Sequence, residues 1–120
     1  MITRANGSWL AAVLLGAAAT PALSHHSFAM FDTRSEVTLS GTVREFQWTN
    51  PHGWLQLEAQ GVEYSIELGS PNSMSRRGWR RTTFKPGDKV TAVINPMRDG
   101  SPGGALVYAL DAQGTRWAWR

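Results

Sequence analysis

Beyond residue 35 the apolar residues of this chain recur at every second position, and only one short stretch carries helical spacing. A period of two puts alternate side chains on opposite faces of an extended strand, so the chain must bury one face of a sheet. The clearest run is residues 62–68. Val62, Tyr64, Ile66 and Leu68 are expected inward, and Glu63, Ser65 and Glu67 outward. Leu55, Leu57 and Ala59 alternate just upstream in residues 54–59, and Gln60-Gly61 joins the two runs as a tight hairpin. The first strand reads over residues 36–48. Val37, Leu39, Gly41 and Val43 share a face, after which the phase slips to Phe46 and Trp48. A slip of one inside a long strand predicts a bulge that bends it. Thr49-Asn50-Pro51-His52-Gly53 is turn chemistry.

The helix signal follows the third strand. Ser70 is a capping residue, Pro71 suits the first helical position, residues 72–77 make about two turns, and Gly78 is placed to end them. Lys85-Pro86-Gly87-Asp88 then turns the chain into a fourth strand over 89–95, stopped by Pro96. A glycine- and proline-rich loop over 98–104 leads to a fifth strand over 105–111 and a last short one ending at Trp117-Ala118-Trp119. Three meandering strands, a short helix and two or three more strands predict a mostly β fold: a five- to six-stranded OB-like barrel with one short helix between strands three and four. A β-sandwich would need about seven strands and no such helix.

The N-terminus reads differently. Arg4 precedes an apolar run over 9–19, then Pro21 and the small-residue sequence Ala22-Leu23-Ser24, the pattern of a cleaved signal peptide. The run is too short for the ~20 residues of a membrane helix. Residues 1–24 are therefore expected to be the signal peptide, with cleavage after Ser24 and with Ala22 or Ala19 as rival sites. Residues 25–35 form a lead-in segment and 36–120 the barrel domain. The expected location is the periplasm or the outside of the cell, with no membrane-spanning segment in the mature chain. Removing Arg4 lowers the formal charge from +3 to +2, ordinary for solubility and uninformative about partners. There is no cysteine, so stability rests on the core, to which five tryptophans of the mature part contribute.

All three histidines, His25, His26 and His52, lie beyond the expected cleavage point. Cleavage after Ser24 would make His25 N-terminal, and its free amine and ring Nδ1 could chelate one ion. His52, in the turn after the first strand, could supply a third nitrogen, with His26 assisting. Nitrogen ligands in that arrangement suit Cu(II), so copper is the cofactor expected. Met30 and Met97 offer thioethers for Cu(I), and Trp48 and Trp54 flank the His52 turn. A bland alternative is that the histidines are polar residues of a tolerant terminus and a turn.

A second cluster is Arg76-Arg77-Gly78-Trp79-Arg80-Arg81. Guanidinium groups around a tryptophan on an OB-like barrel read as single-stranded nucleic-acid binding in a cytosolic protein. Export turns the expectation to an anionic ligand or a carboxylate-bearing protein partner instead, with Arg76, Arg77, Trp79, Arg80 and Arg81 as contacts. The plain reading is that these arginines favour a helix C-terminus and pair with Glu58, Glu63 and Glu67. For catalysis the sequence offers little: Glu63 and Glu67 would stand ~13 Å apart along a strand, beyond the ~5–9.5 Å of a glycosidase pair. No nucleophile elbow, metalloprotease helix or phosphate loop is present. A non-enzymatic binding module is expected.

Several of these strings together resemble one family: His25-His26-Ser27-Phe28-Ala29, then Trp48-Thr49-Asn50-Pro51-His52, Glu67-Leu68-Gly69-Ser70-Pro71-Asn72, Arg76-Arg77-Gly78-Trp79 and Lys85-Pro86-Gly87-Asp88. The chain resembles an exported bacterial family of unknown function, family 6152, over residues 25 to about 112. The resemblance implies an exported small β-barrel-like domain and brings no catalytic residues with it. Met30, where the family tends to have a small residue, and the tryptophan-rich end depart from its pattern.

Overall fold

The computed structural model describes residues 28–120, so the expected signal segment and His25 and His26 lie outside the described residues. Six strands follow the lead-in: β1 (Val37–Gln47), β2 (Trp54–Ala59), β3 (Val62–Glu67), β4 (Lys89–Pro96), β5 (Gly103–Leu110) and β6 (Arg116–Trp117), with α1 (Pro71–Ser75) between β3 and β4. They pair in the order β3-β2-β1-β4-β5-β6, and β3 also pairs with β5. That last pairing is parallel, while the others are antiparallel. It closes five strands into a barrel, with β6 as an extra strand on β5. This is the expected OB-like fold, with its helix between strands three and four.

Closure depends on β1, which serves both sides of the barrel. Its first half, Val37 to Thr42, pairs with β4, and Thr42 to Gln47 pairs with β2. The change of partner requires a bend. The register supplies one by stepping from Val43↔Leu57 to Glu45↔Gln56, so Arg44 is the extra residue of a bulge. The expected phase slip is therefore real and falls three residues after Gly41. At Gly41 itself a Cβ would run into the Glu58 carbonyl, so only glycine allows the two backbones to approach. The β2–β3 hairpin has a two-residue loop, Gln60-Gly61, and both residues have positive φ (51° and 76°). That is the geometry whose twist matches the flanking strands. Ser70 Oγ accepts from Ser73 N at 3.2 Å and caps α1, and Gly78 turns the chain away at φ 88°.

The inward faces of the strands build the core, with Leu55, Leu57, Ile66, Leu68, Ile94 and Leu106 fully enclosed. An aromatic cluster packs against it. Trp79 lies 5.8 Å from Phe84, 5.5 Å from Trp117 and 6.1 Å from Phe46, mostly in edge-to-face pairs. Its Nε1 donates to Ala118 O at 2.9 Å, which satisfies the one polar atom of the ring and ties down the C-terminal tail.

Two positions of the third strand depart from simple alternation. Val62 is 42% exposed, because it sits at the hairpin tip where the strand runs past the core. Glu67 is 4% exposed, although its side chain stands on the outward face. It is flanked on both sides, by Trp54 of β2 and Ala105 of β5.

The lead-in is docked. Phe28–Met30 form one turn of 3-10 helix, Phe31 is buried and forms a bridge with Met97, Asp32 N donates to Pro96 O (2.8 Å), and Arg98 N donates to Met30 O (3.0 Å). Hydrogen bonds from the Ser35 hydroxyl and Arg34 N hold the Asp32 carboxyl below the usual range.

Because Trp79 is 1% exposed and centres the aromatic cluster, Trp79→Ala is expected to destabilise the domain by about 3–5 kcal/mol. Urea unfolding followed by circular dichroism measures this, and a loss below about 1 kcal/mol would refute the role given to the ring.

Candidate functional site

The loop between β1 and β2 carries His52. It turns through a cis Asn50–Pro51 peptide, and Thr49 Oγ1 donates to His52 O at 2.7 Å. Gly53 continues the pairing of the loop, donating its N–H to Gly69 O (2.8 Å) and accepting from Leu68 N (2.9 Å). These bonds hold His52 beside the end of β3. Its ring Nδ1 lies 3.1 Å from Leu68 O and 3.4 Å from Glu67 Oε1.

Both neighbours of Nδ1 are acceptors, a carbonyl and a carboxylate. In the neutral ring the proton therefore belongs on Nδ1, and the lone pair is left on Nε2. This is how metal-binding histidines are commonly oriented, with one ring N–H given to a carboxylate or carbonyl and the other nitrogen free to ligate. The His52 side chain is 30% exposed, so the ring is open to a ligand.

Glu67 completes the arrangement and was not expected here. One oxygen faces His52. The other, Oε2, is buried and has no hydrogen-bond partner. A carboxylate oxygen buried without a donor among the described residues is costly. The sequence contained a way to find it. A two-residue hairpin at Gln60-Gly61 fixes the pair Ala59↔Val62, and counting along the strands then places Glu67 opposite Trp54, two residues from His52.

A second buried polar atom without a partner, Trp119 Nε1, lies close by in the chain of contacts. The Trp119 ring packs against Gly69, where a Cβ would strike it, and Phe28 stacks on Trp119 at 6.5 Å. His25 and His26 lie just before Phe28 in the sequence but outside the described residues, so no position is assigned to them. Among the described residues no group of three His, Asp, Glu or Cys side chains gathers as a metal-binding set. His52 and Glu67 form a pair.

The arginine cluster is only partly as expected. Arg76, Arg77, Arg80 and Arg81 are exposed. Trp79 is a core residue and is not available to stack on a ligand. Nor do these arginines pair with the strand carboxylates. Glu58 pairs with Arg44 at 2.8 Å and Glu67 with His52, and among the described residues no ion pair reaches the four. Trp54, one of the two tryptophans flanking the His52 turn, lies on the same outer face as Glu67, whereas Trp48 packs on Phe46 at 6.0 Å against the core.

The fold and the site thus define a small OB-like barrel on whose outer face a buried carboxylate, Glu67, meets the partly exposed His52. The chain belongs to the family of unknown function DUF6152, whose model matches residues 12–106. No curated protein and no solved structure matches it. None of the described helices is long and apolar enough to cross a membrane.

If His52 is what offsets the buried Glu67 carboxylate, His52→Ala is expected to cost about 1–3 kcal/mol. Adding Glu67→Gln should then recover part of that loss. Chemical unfolding of the two variants measures both effects, and a fully additive second loss would show that the pair is not coupled.

Proposed function

We propose that the protein is an exported binding module, acting in the periplasm or outside the cell without catalysing a reaction, and that it holds a metal ion through its N-terminal histidine region and His52. Copper is the ion favoured. The observation that carries this reading is the orientation of His52: Nδ1 is committed to Leu68 O and the Glu67 carboxylate, which leaves Nε2 as a ligand. Cleavage after Ser24 would add the amine and ring of His25 as a chelate, with His26 in reserve. Two or three such nitrogens suit the tetragonal geometry of Cu(II) better than that of other divalent ions. The buried carboxylate beside the ring offsets part of the positive charge brought by the ion.

The test is a Cu(II) titration of the mature protein, its N-terminus established by intact mass, followed by tryptophan fluorescence. One equivalent should quench the signal. One extra residue ahead of His25 is expected to weaken binding by at least tenfold, because the amine–ring chelate is lost, and His52→Ala should weaken it further. No saturable binding, or full affinity in the extended form, overturns the reading.

A second reading is favoured by the four arginines that have no carboxylate partner. In it the surface after α1 recognises an anionic ligand or partner, with Arg76, Arg77, Arg80 and Arg81 as the contacts and Trp79 holding their loop from within. Arg76→Glu with Arg80→Glu should abolish retention on a sulfated polysaccharide matrix at moderate salt, whereas Arg34→Glu with Lys85→Glu, of equal charge, should not. Equal loss in both variants would reduce the effect to net charge and reject a specific surface.

A further inference from the structure

The lead-in and the β4–β5 loop border a half-open pocket of about 280 Å³ on the outer face of β2 and β3. Its walls are almost wholly apolar and include Met30, Phe31, Trp54, Met97 and Pro102. Two methionines from separate segments thus line one apolar, partly exposed pocket together with an indole ring. The meeting is fixed by backbone. Phe31 bridges to Met97, Arg98 N donates to Met30 O, and Met97 N donates to Gly103 O at 3.3 Å.

The register adds a charge to this face. Trp54 and Glu67 are directly opposed on β2 and β3, and opposed residues of an antiparallel pair project to the same side. Ser65, two residues before Glu67, lines the cavity. The carboxylate with the partnerless Oε2 therefore shares the outer face on which the two methionines and the tryptophan gather.

We infer that this cavity is a binding site for a soft monovalent metal ion, Cu(I) or its analogue Ag(I), held by the sulfurs of Met30 and Met97 against the face of Trp54. Thioethers select soft ions, and neutral ligands suit a single positive charge. An indole face attracts a cation most strongly where water is excluded. Glu67 balances the charge from the same face without being a ligand. The donors differ from the nitrogens of the Cu(II) reading, so either site can fail without the other. The site also gives Met30 a task that a small residue at that position could not perform.

The experiment is an Ag(I) titration in chloride-free buffer, with stoichiometry from native mass spectrometry and tryptophan fluorescence as the affinity signal. The wild-type mature protein should bind one equivalent and lose fluorescence. Met30→Leu with Met97→Leu keeps the volume and removes both sulfurs, and should weaken binding at least tenfold with little change in the urea midpoint. If that double variant unfolds, the methyl resonances of labelled methionine in the wild type decide the matter. Met30 and Met97 should shift with Ag(I), while Met74, fully buried in the core, should not. Absence of saturable Ag(I) binding, affinity within twofold in the folded double variant, or unmoved Met30 and Met97 resonances each overturn the proposal. The extended N-terminus expected to weaken Cu(II) binding should leave Ag(I) binding intact. Loss of both ions together would merge the two sites into one and reject the separate cavity.

Discussion

The barrel is closed by three residue pairs, Ser65↔Gly103, Ile66↔Gly104 and Glu67↔Ala105, and the arrangement of the outer face depends on them. The start of β5 is close-packed on both sides, against β3 at Gly103 and against β4 at Gly104. A Cβ at Gly103 would press on the Ser65 carbonyl, and one at Gly104 on that of Asn95. Once the pairs form, the end of β3 has a strand on each side and Glu67 loses access to water. The His52 ring then stands within reach of its carboxylate, with Nδ1 3.4 Å from Oε1. The histidine is brought there from the other side of β3, by an extension of the β2–β3 pairing through the Gly53–Gly69 and Leu68–Gly53 hydrogen bonds. Two pairings that meet at the end of β3 thus set the geometry of the site.

The two ends of the described chain meet in support of that face. Trp79 pins the tail through Ala118 O, and Trp119 lies on Gly69. Phe28 stacks on Trp119, and the Arg120 guanidinium stands 5.1 Å from the Phe28 ring centre. Arg120 Nη2 also donates to Asn95 Oδ1 at 2.7 Å, while Asn95 Nδ2 donates to Ser35 O at 2.9 Å. Asn95 is buried and uses both ends of its amide, so it locks the lead-in to the tail across β4. The tryptophan-rich terminus, which lies beyond the residues matched by the family model, thus acts as the wall against which the lead-in is seated.

Much of the fold was legible because its signals are local. Period-two spacing located the strands of the barrel within a residue or two, the Ser70–Pro71 start and Gly78 marked the helix, and a phase slip after Val43 announced the bulge. Burial at strand ends was not legible in the same way. Val62 and Glu67 obey the alternation as directions, yet one protrudes beyond the core and the other is covered by neighbours far away in sequence. Trp79 misled for a related reason. Surrounded by four arginines, it reads as a surface residue, and only the aromatic partners Phe46, Phe84 and Trp117, each from another part of the chain, draw it inside. The candidate site was half legible. His52 stood out by residue type, whereas Glu67 looked like one more solvent-facing carboxylate until strand register placed it.

With no cysteine in the chain, the methionines of this face are the sulfur donors that the proposed soft-ion site would use. A thiolate binds soft ions more strongly than a thioether does, but it must first lose a proton and is readily oxidised to disulfide or sulfenic acid. A thioether carries no proton to displace, so its hold on an ion does not compete with hydrogen ions in the range where thiols and imidazoles titrate. Its weakness as a single donor would be offset by pairing two such donors in an apolar pocket, as proposed for Met30 and Met97. On the two proposed readings, nitrogen donors at an exposed turn and sulfur donors in an apolar pocket would therefore answer to different conditions. Amine and imidazole nitrogens must be unprotonated to bind an ion, whereas thioethers have no proton to lose. On either reading the Glu67 carboxylate would offset the charge of the ion without having to touch it.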